Sequence, residues 1–259
     1  MRMKNQVALV TGAASGIGKS IAQAYVADGA YVTVADLDRE RAQAAARDID
    51  ANGDSTMAVE MDVTDEQAVE QGVEQTVSRF GGVDVLVSNA GAQHIDRVEN
   101  LAYEDWQKII DIHLHGAFLT TKACLRHMYA AQKGTVIYMG SIHSHEASPL
   151  KSPYVSAKHA LLGLCRTVAK EGAEYGVRAN VICPGFVRTP LVEKQIPEQA
   201  ENLGISEDEV VSDVMLQGTV DGQFTTVEDI SEMAVVLACY KTNALTGQSM
   251  LLTHGWGMQ

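Results

Sequence analysis

An α/β domain built on one doubly wound parallel sheet is the fold class this sequence predicts. Three observations predict it. Short β-branched runs alternate with longer segments of helical spacing, the signature of right-handed βαβ units laid on one sheet. The first strand-like run leads straight into a glycine-rich turn and then a helical pattern, an arrangement suited to phosphate binding. Of the 259 residues, 46% are hydrophobic and 20% charged, enough apolar surface for a substantial core.

Taken in chain order, residues 6–11 read as the first strand, 17–28 as the first helix, 30–35 as a second strand and 39–51 as a second helix. A helical segment at 65–80 precedes a strand at 83–88, and the longest helical pattern, 103–131, leads into a strand at 134–140. Helix 153–175 opens on Pro153, a residue suited to a first turn, and a strand at 177–183 follows it. Near-continuous apolar strands of this kind are covered on both faces. Two segments leave the rhythm. Residues 191–224 are polar and helix-prone, follow Pro184-Gly185, and read as a small helical lid, placed at 190–225, over the carboxyl ends of the strands. Residues 248–259 read as a last strand and a short aromatic tail. No linker or internal repeat interrupts the chain, so residues 1–259 are expected to form one domain.

The formal net charge of −13 removes several classes of function. A nucleic-acid surface needs a basic patch to displace counterions, and an anionic membrane needs one too. Neither partner is expected. No apolar run is long enough to span a bilayer, and the apolar start at Val7 lacks a small-residue cleavage site, so it reads as a strand and not a signal peptide. An anionic substrate needs a local basic pocket, because the global field does not steer it in. Cys124, Cys165, Cys183 and Cys239 are widely spaced with no CxxC pair, which fits buried thiols in a reducing compartment.

The glycine-rich turn is Thr11-Gly12-Ala13-Ala14-Ser15-Gly16-Ile17-Gly18. Gly12 permits a tight turn, while Gly16 and Gly18 let backbone and helix approach a pyrophosphate held on the helix N-terminus. Such a turn alone is a weak signal; between a strand and a helix it indicates a Rossmann-type dinucleotide site. Asp36 closes the second strand, where a carboxylate accepts hydrogen bonds from ribose hydroxyls and repels a 2′-phosphate, so NAD is expected over NADP. The competing role for Asp36 is a helix N-cap, for which Asp38 is better placed. Arg39 points the other way, since an arginine nearby accommodates a 2′-phosphate.

Tyr154 and Lys158 stand four apart in Pro153-Tyr154-Val155-Ser156-Ala157-Lys158, which puts both on one helical face. A tyrosine ordinarily ionises near pH 10; bringing it to neutrality takes about 4 kcal/mol of phenolate stabilisation, within reach of an adjacent ammonium and a nicotinamide cation. Ser141 follows a strand at the edge where parallel sheets collect ligands, so its hydroxyl can donate to a carbonyl oxygen that becomes alkoxide. Taken singly, these are a surface i,i+4 pair and a turn serine.

With these parts in order, the chain resembles the short-chain dehydrogenase/reductase family over essentially its whole length. The resemblance rests on the Gly12–Gly18 turn, Asp62-Val63, Asn89-Ala90-Gly91, Ser141, Tyr154 with Lys158, and Pro184-Gly185. It implies that Tyr154 is the acid/base, that Lys158 binds ribose and lowers the tyrosine pKa, and that Ser141 polarises the substrate oxygen. It also implies that Asp62 and Val63 flank adenine, that Asn89, Ala90 and Gly91 line the cofactor cleft, and that Val187 and Thr189 contact the nicotinamide side. Within the family the sequence is more similar to bacterial D-3-hydroxybutyrate dehydrogenases. That likeness is carried by Gln93-His94, Ser141-Ile142-His143, Lys151-Ser152-Pro153-Tyr154, the run from Ile182 to Ile196, and Trp256. It implies that Gln93, His143, Lys151 and Gln195 hold a substrate carboxylate and nearby atoms, that Trp256 walls the pocket, and that the protein is a cytoplasmic homotetramer built on helices 103–131 and 153–175. Lys151 supplies the local positive charge an acidic chain otherwise lacks, and amide or imidazole donors complete a carboxylate cage. As single residues, Lys151 and the glutamines have bland readings as solvated loop groups, and Trp256 as core packing.

The sequence departs from the family where His113 stands in place of an asparagine that helps hold a water linked to the catalytic lysine. It also departs at Ser88 and at Thr253-His254-Gly255. Paired histidines at 113 and 115, or 143 and 145 with Glu146, make a zinc site conceivable, but hydride transfer through tyrosine needs no metal and none is expected. The expected function is reversible, NAD-dependent oxidation of a small anionic hydroxy acid, D-3-hydroxybutyrate, to its keto acid. Its rivals are a dehydrogenase for a neutral polyol, sugar or cyclic alcohol, and a dinucleotide-binding scaffold that has lost turnover.

Overall fold

Strand β1 (Val7–Thr11) is buried at every position, so it lies inside a sheet covered on both faces. In the computed structural model, which describes residues 1–258 and leaves the Leu191 side chain aside, β1 pairs in parallel with β2 (Tyr31–Asp36) and with β4 (Val85–Ser88). The sheet is completed by β3 (Thr56–Glu60), β5 (Gly134–Met139), β6 (Val177–Pro184) and β7 (Ser249–Leu252), all parallel, in the order β3-β2-β1-β4-β5-β6-β7. This is a Rossmann-type doubly wound sheet. Strand order reverses between β1 and β4, and that crevice is where such sheets bind ligands.

Helices cover both faces. On one, α1 (Gly16–Ala27), α2 (Arg39–Ile49) and α9 (Val227–Cys239) bury Ile21, Tyr25, Ala45, Ile230 and Leu237 against Val34, Ile137 and Ile182. On the other, α3 (Glu66–Phe80), α5 (Gly116–Ala131) and α6 (Ser152–Gly172) bury Val73, Cys124 and Leu161 against Leu9, Leu86 and Tyr138. Asp38 caps α2 by accepting the Arg41 amide at 3.0 Å.

Several boundaries differ from the sequence expectations. β3 and α9 fall where no element was expected. β3 is a short edge strand with little β-branched signal, and the apolar run in α9 fits a strand as well as a helix. The helical pattern 103–131 divides into α4 (Tyr103–Ile110), a π-helical turn at Asp111–His115, and α5. Helix 153–175 is α6 with a terminal 3₁₀ turn at Ala173–Tyr175. The segment expected as a lid contains α7 (Pro190–Leu203), α8 (Glu207–Glu209) and a π turn at Val210–Met215, but helix ends there. Residues 216–226 are turns, with one bridge from Thr225 to Val187. This segment has a small core of its own, with Val192, Ile196, Val210 and Met215 packed against Phe186 and Phe224. Beyond β7 the tail runs in turns, and Gln259 lies outside the described residues. Among the described residues no helix is long and apolar enough to cross a membrane.

Candidate active site

One cleft of about 1010 Å³ runs along the carboxyl edge of the sheet. Of the residues expected to react or to bind cofactor or substrate, all but Gly18 and Trp256 line it. At one end the turn after β1 is backbone-tight. Gly12 and Gly16 have φ of 62° and 54°, and a side chain on Gly12 would meet the Ala90 Cα at 2.9 Å. Gly18 sits behind the turn, where a Cβ would lie 2.5 Å from the Gly12 carbonyl oxygen. Ser15 is the α1 N-cap, yet its side chain makes no capping bond, so the first-turn amides face the cleft without a side-chain acceptor. Asn89 closes the crevice by donating from Nδ2 to the Thr11 and Gly12 carbonyls, at 2.9 and 3.2 Å. Asp36 is held by the Ala14 and Asp38 amides at 3.1 and 3.2 Å, with lone pairs remaining for a diol. A cradle of donor amides with a carboxylate beyond it fits a dinucleotide.

Midway along the cleft, β5 and α6 bring three groups together. Ser141 follows β5 and accepts the His143 amide on its Oγ at 3.2 Å, which leaves the hydroxyl proton free to donate. Lys158 is buried and donates to the Met139 carbonyl at 2.6 Å, with its Nζ 5.2 Å from the Tyr154 ring centre. Burial pushes Lys158 down to about 7. Burial also pushes the half-buried Tyr154 phenol up to about 12, with the Ser141 hydroxyl acting the other way. The lowering expected from the sequence counts on Lys158 together with a nicotinamide cation; in the protein by itself, desolvation of the phenolate prevails.

At the far end Lys151 is 1% exposed, with its Nζ 4.6 Å from the centre of the Phe186 ring. Burial alone pushes it down to about 8; no acidic group offsets it. His143 is buried beside it, and neither ring nitrogen has a partner among the described residues. Burial, reinforced by the Lys151 charge, pushes His143 down to about 4, so it is neutral near pH 7. Gln195, buried on α7, and Gln93, half-buried, line the same cleft.

The amino-acid sequence matches the short chain dehydrogenase family over residues 6–200. The chain belongs to that family. Dehydrogenases of similar sequence include the D-beta-hydroxybutyrate dehydrogenase of Rhizobium meliloti (strain 1021), 38% identical over 98% of this chain and 99% of the relative. The D-beta-hydroxybutyrate dehydrogenase of Cupriavidus necator is 36% identical over 99% of this chain and all of the relative. The mitochondrial borneol dehydrogenase of Lavandula x intermedia is 32% identical over 98% of this chain and 91% of the relative.

Several residues of this dehydrogenase stand elsewhere than expected. Trp256 is behind the pocket lining. It stacks on Phe186 at 5.9 Å, meets His143 edge-on at 6.0 Å, and donates from Nε1 to the Glu146 carboxylate at 2.7 Å. A side chain on Gly218 would lie 2.5 Å from the indole, so the segment after the π turn packs directly on it. Phe186, which follows Pro184-Gly185 directly, has no role in the sequence reading, and Glu146 enters it only as a conceivable zinc ligand. Beside Asp36 it is Arg41, not Arg39, that lines the cleft, donating to the Ser15 hydroxyl at 3.3 Å. His115 pairs with Asp111 on the surface, away from His113, which turns inward to Ala92.

Proposed function

We propose that this dehydrogenase reversibly oxidises D-3-hydroxybutyrate to acetoacetate with NAD. The observation that carries the reading is Lys151, a buried ammonium in the cleft with no acidic group acting on it. An uncompensated buried charge is costly, and a substrate carboxylate is the partner that relieves the cost. His143, Gln93 and Gln195 line the same cleft and are the donors this reading assigns to that carboxylate. The names of the two bacterial relatives support the same acid.

In this reading Ser141 donates to the substrate oxygen, and Tyr154 takes the hydroxyl proton as the carbinol C–H bond breaks. When bound, the dinucleotide supplies the hydride acceptor and a positive ring beside Tyr154. Lys158, fixed to Met139, contributes its charge to the phenolate and its remaining protons to ribose. Asp36 selects NAD by holding the ribose diol and repelling a 2′-phosphate. The same reading carries a cytoplasmic homotetramer of single-domain chains packed through the helices from Tyr103 to Ala131 and through α6, which sedimentation tests.

The experiment is NADH formation from D-3-hydroxybutyrate, with the L-acid, 2-butanol and NADP as controls. Selective turnover of the D-acid with NAD is expected. Turnover of 2-butanol but of neither acid would replace this reading with a neutral alcohol substrate.

A further inference from the structure

We propose that Glu146 is a positioning residue for the acid end of the cleft: its carboxylate fixes the Trp256 indole, and through it the Phe186 and His143 rings that line the cleft. This deepens the hydroxy-acid reading above and rests on it. Glu146 and His143 belong to one tight turn, in which the Glu146 amide donates to the Ile142 carbonyl at 3.1 Å. Trp256 lies 110 residues further along the chain, and its Nε1 donates to Glu146 Oε2 at 2.7 Å. Among the described residues no other side chain donates to that carboxylate, and no group of metal-ligand type gathers around it.

The backbone leaves the direction of the indole open. Trp256 sits between Gly255 and Gly257, both in the left-handed region with φ of 82° and 78°. Thr253 pins only the main chain, its Oγ1 donating to the Trp256 carbonyl at 2.7 Å. Nε1 is the one polar atom of the indole, and Glu146 takes its proton. The rings then form a closed triangle: Trp256 to Phe186 at 5.9 Å, Trp256 to His143 at 6.0 Å, and Phe186 to His143 at 6.0 Å. In close packing the indole cannot turn without moving both neighbours. Phe186 and His143 line the cleft, whereas Trp256 and Glu146 do not. Phe186 also carries the Lys151 ammonium, 4.6 Å from its ring centre. Glu146 does not neutralise that ammonium, which only burial perturbs. Its carboxylate therefore holds the aromatic wall while leaving Lys151 open to an anion.

Glutamine keeps an acceptor oxygen at this position, while leucine keeps bulk without one. The test compares wild type, E146Q, E146L, W256F and the double variant E146L/W256F in kcat and in KM for D-3-hydroxybutyrate and NAD. It adds the indole N–H signals in ¹H–¹⁵N spectra, of which the chain has two, from Trp106 and Trp256, assigned with W106F. We expect E146L to raise KM for the acid about tenfold, as for one lost charge-assisted hydrogen bond, with kcat and KM for NAD within about threefold. E146Q should stay within about threefold of wild type in all three. The Trp256 signal should move upfield in E146L, and E146L should add nothing to the KM of W256F. Equal rises in E146Q and E146L, parallel rises in KM for acid and NAD, an unmoved Trp256 signal, or additive effects in the double variant would each overturn the proposal. If wild type turned over 2-butanol and no acid, the substrate reading would fall alone. The indole signal and the same comparison of KM, made on 2-butanol, would still decide the role of Glu146.

Discussion

Lys151 and Phe186 hold a buried cation on an aromatic face, Nζ 4.6 Å from the ring centre. A desolvated cation–π contact is worth about 2 kcal/mol, less than the several kcal/mol that burial of an ammonium costs. The difference is carried by the fold, and in the proposed function that imbalance is what favours an acid at this end of the cleft.

Among the described residues lining the cleft, Tyr154 is the one phenol, and Tyr154→Phe removes it. Turnover should fall by about 10²- to 10⁴-fold, the range for a lost general acid/base, while NADH binding measured by fluorescence stays within twofold or so. A variant with near wild-type kcat would refute the assignment of the proton to this hydroxyl.

At the glycine turn, Asp36 accepts the Ala14 amide and Arg41, of opposite charge, donates to the neighbouring Ser15 hydroxyl. Asp36→Ser should raise the NADP-to-NAD ratio of kcat/KM by at least about tenfold through lost repulsion. Adding Arg41→Ala should take back part of that gain. An unchanged ratio in the first variant would move cofactor choice elsewhere.

His143 and His113 are pushed by burial to about 4 and about 3, below the ordinary 6.5. Both are neutral in the folded state, so their contribution is fully present above pH 6.5 and is lost as pH falls toward the folded values. At pH 5 each accounts for roughly 2 kcal/mol of lost stability, at about 1.4 kcal/mol per pH unit. Chemical denaturation at pH 7 and 5 should show wild type losing more than His143→Gln. Equal losses would mean that His143 stays accessible to protons in the folded protein.

Gly218→Ala tests the buttress behind the pocket, because its Cβ would lie 2.5 Å from the Trp256 ring. Displacing the indole strains its bond to Glu146 and its contact with His143. The variant should lose about 1–3 kcal/mol of stability, the usual cost of overpacking, and KM for the acid should rise while KM for NAD does not. A variant with unchanged stability and KM would mean that the indole has room to move.

The glycine turn, Asp36, Ser141, Tyr154 and Lys158 were legible because each is local: a strand-end turn, a position at the carboxyl edge, an i,i+4 pair. β3 was not, because an edge strand of Thr56-Met57-Ala58-Val59-Glu60 buries too little to show a pattern. The π turn at Asp111–His115 keeps helical composition, so nothing in the residues marks the inserted one. Trp256 behind Phe186, Glu146 beneath it and Arg41 across from Ser15 depend on contacts between distant segments, which no spacing encodes. The burial of the Tyr154 phenol, which opposes its ionisation, is invisible until the chain is folded.

The most direct measurement is the ratio of kcat/KM for D-3-hydroxybutyrate to that for 2-butanol, in wild type and in Lys151→Met. Methionine keeps an apolar stem over Phe186 and removes only the charge. The account predicts a ratio far above one in wild type that collapses by at least about thirtyfold in the variant, through KM for the acid, as expected when one partner of a buried charge pair is lost. A variant that kept the wild-type preference for the acid would contradict it.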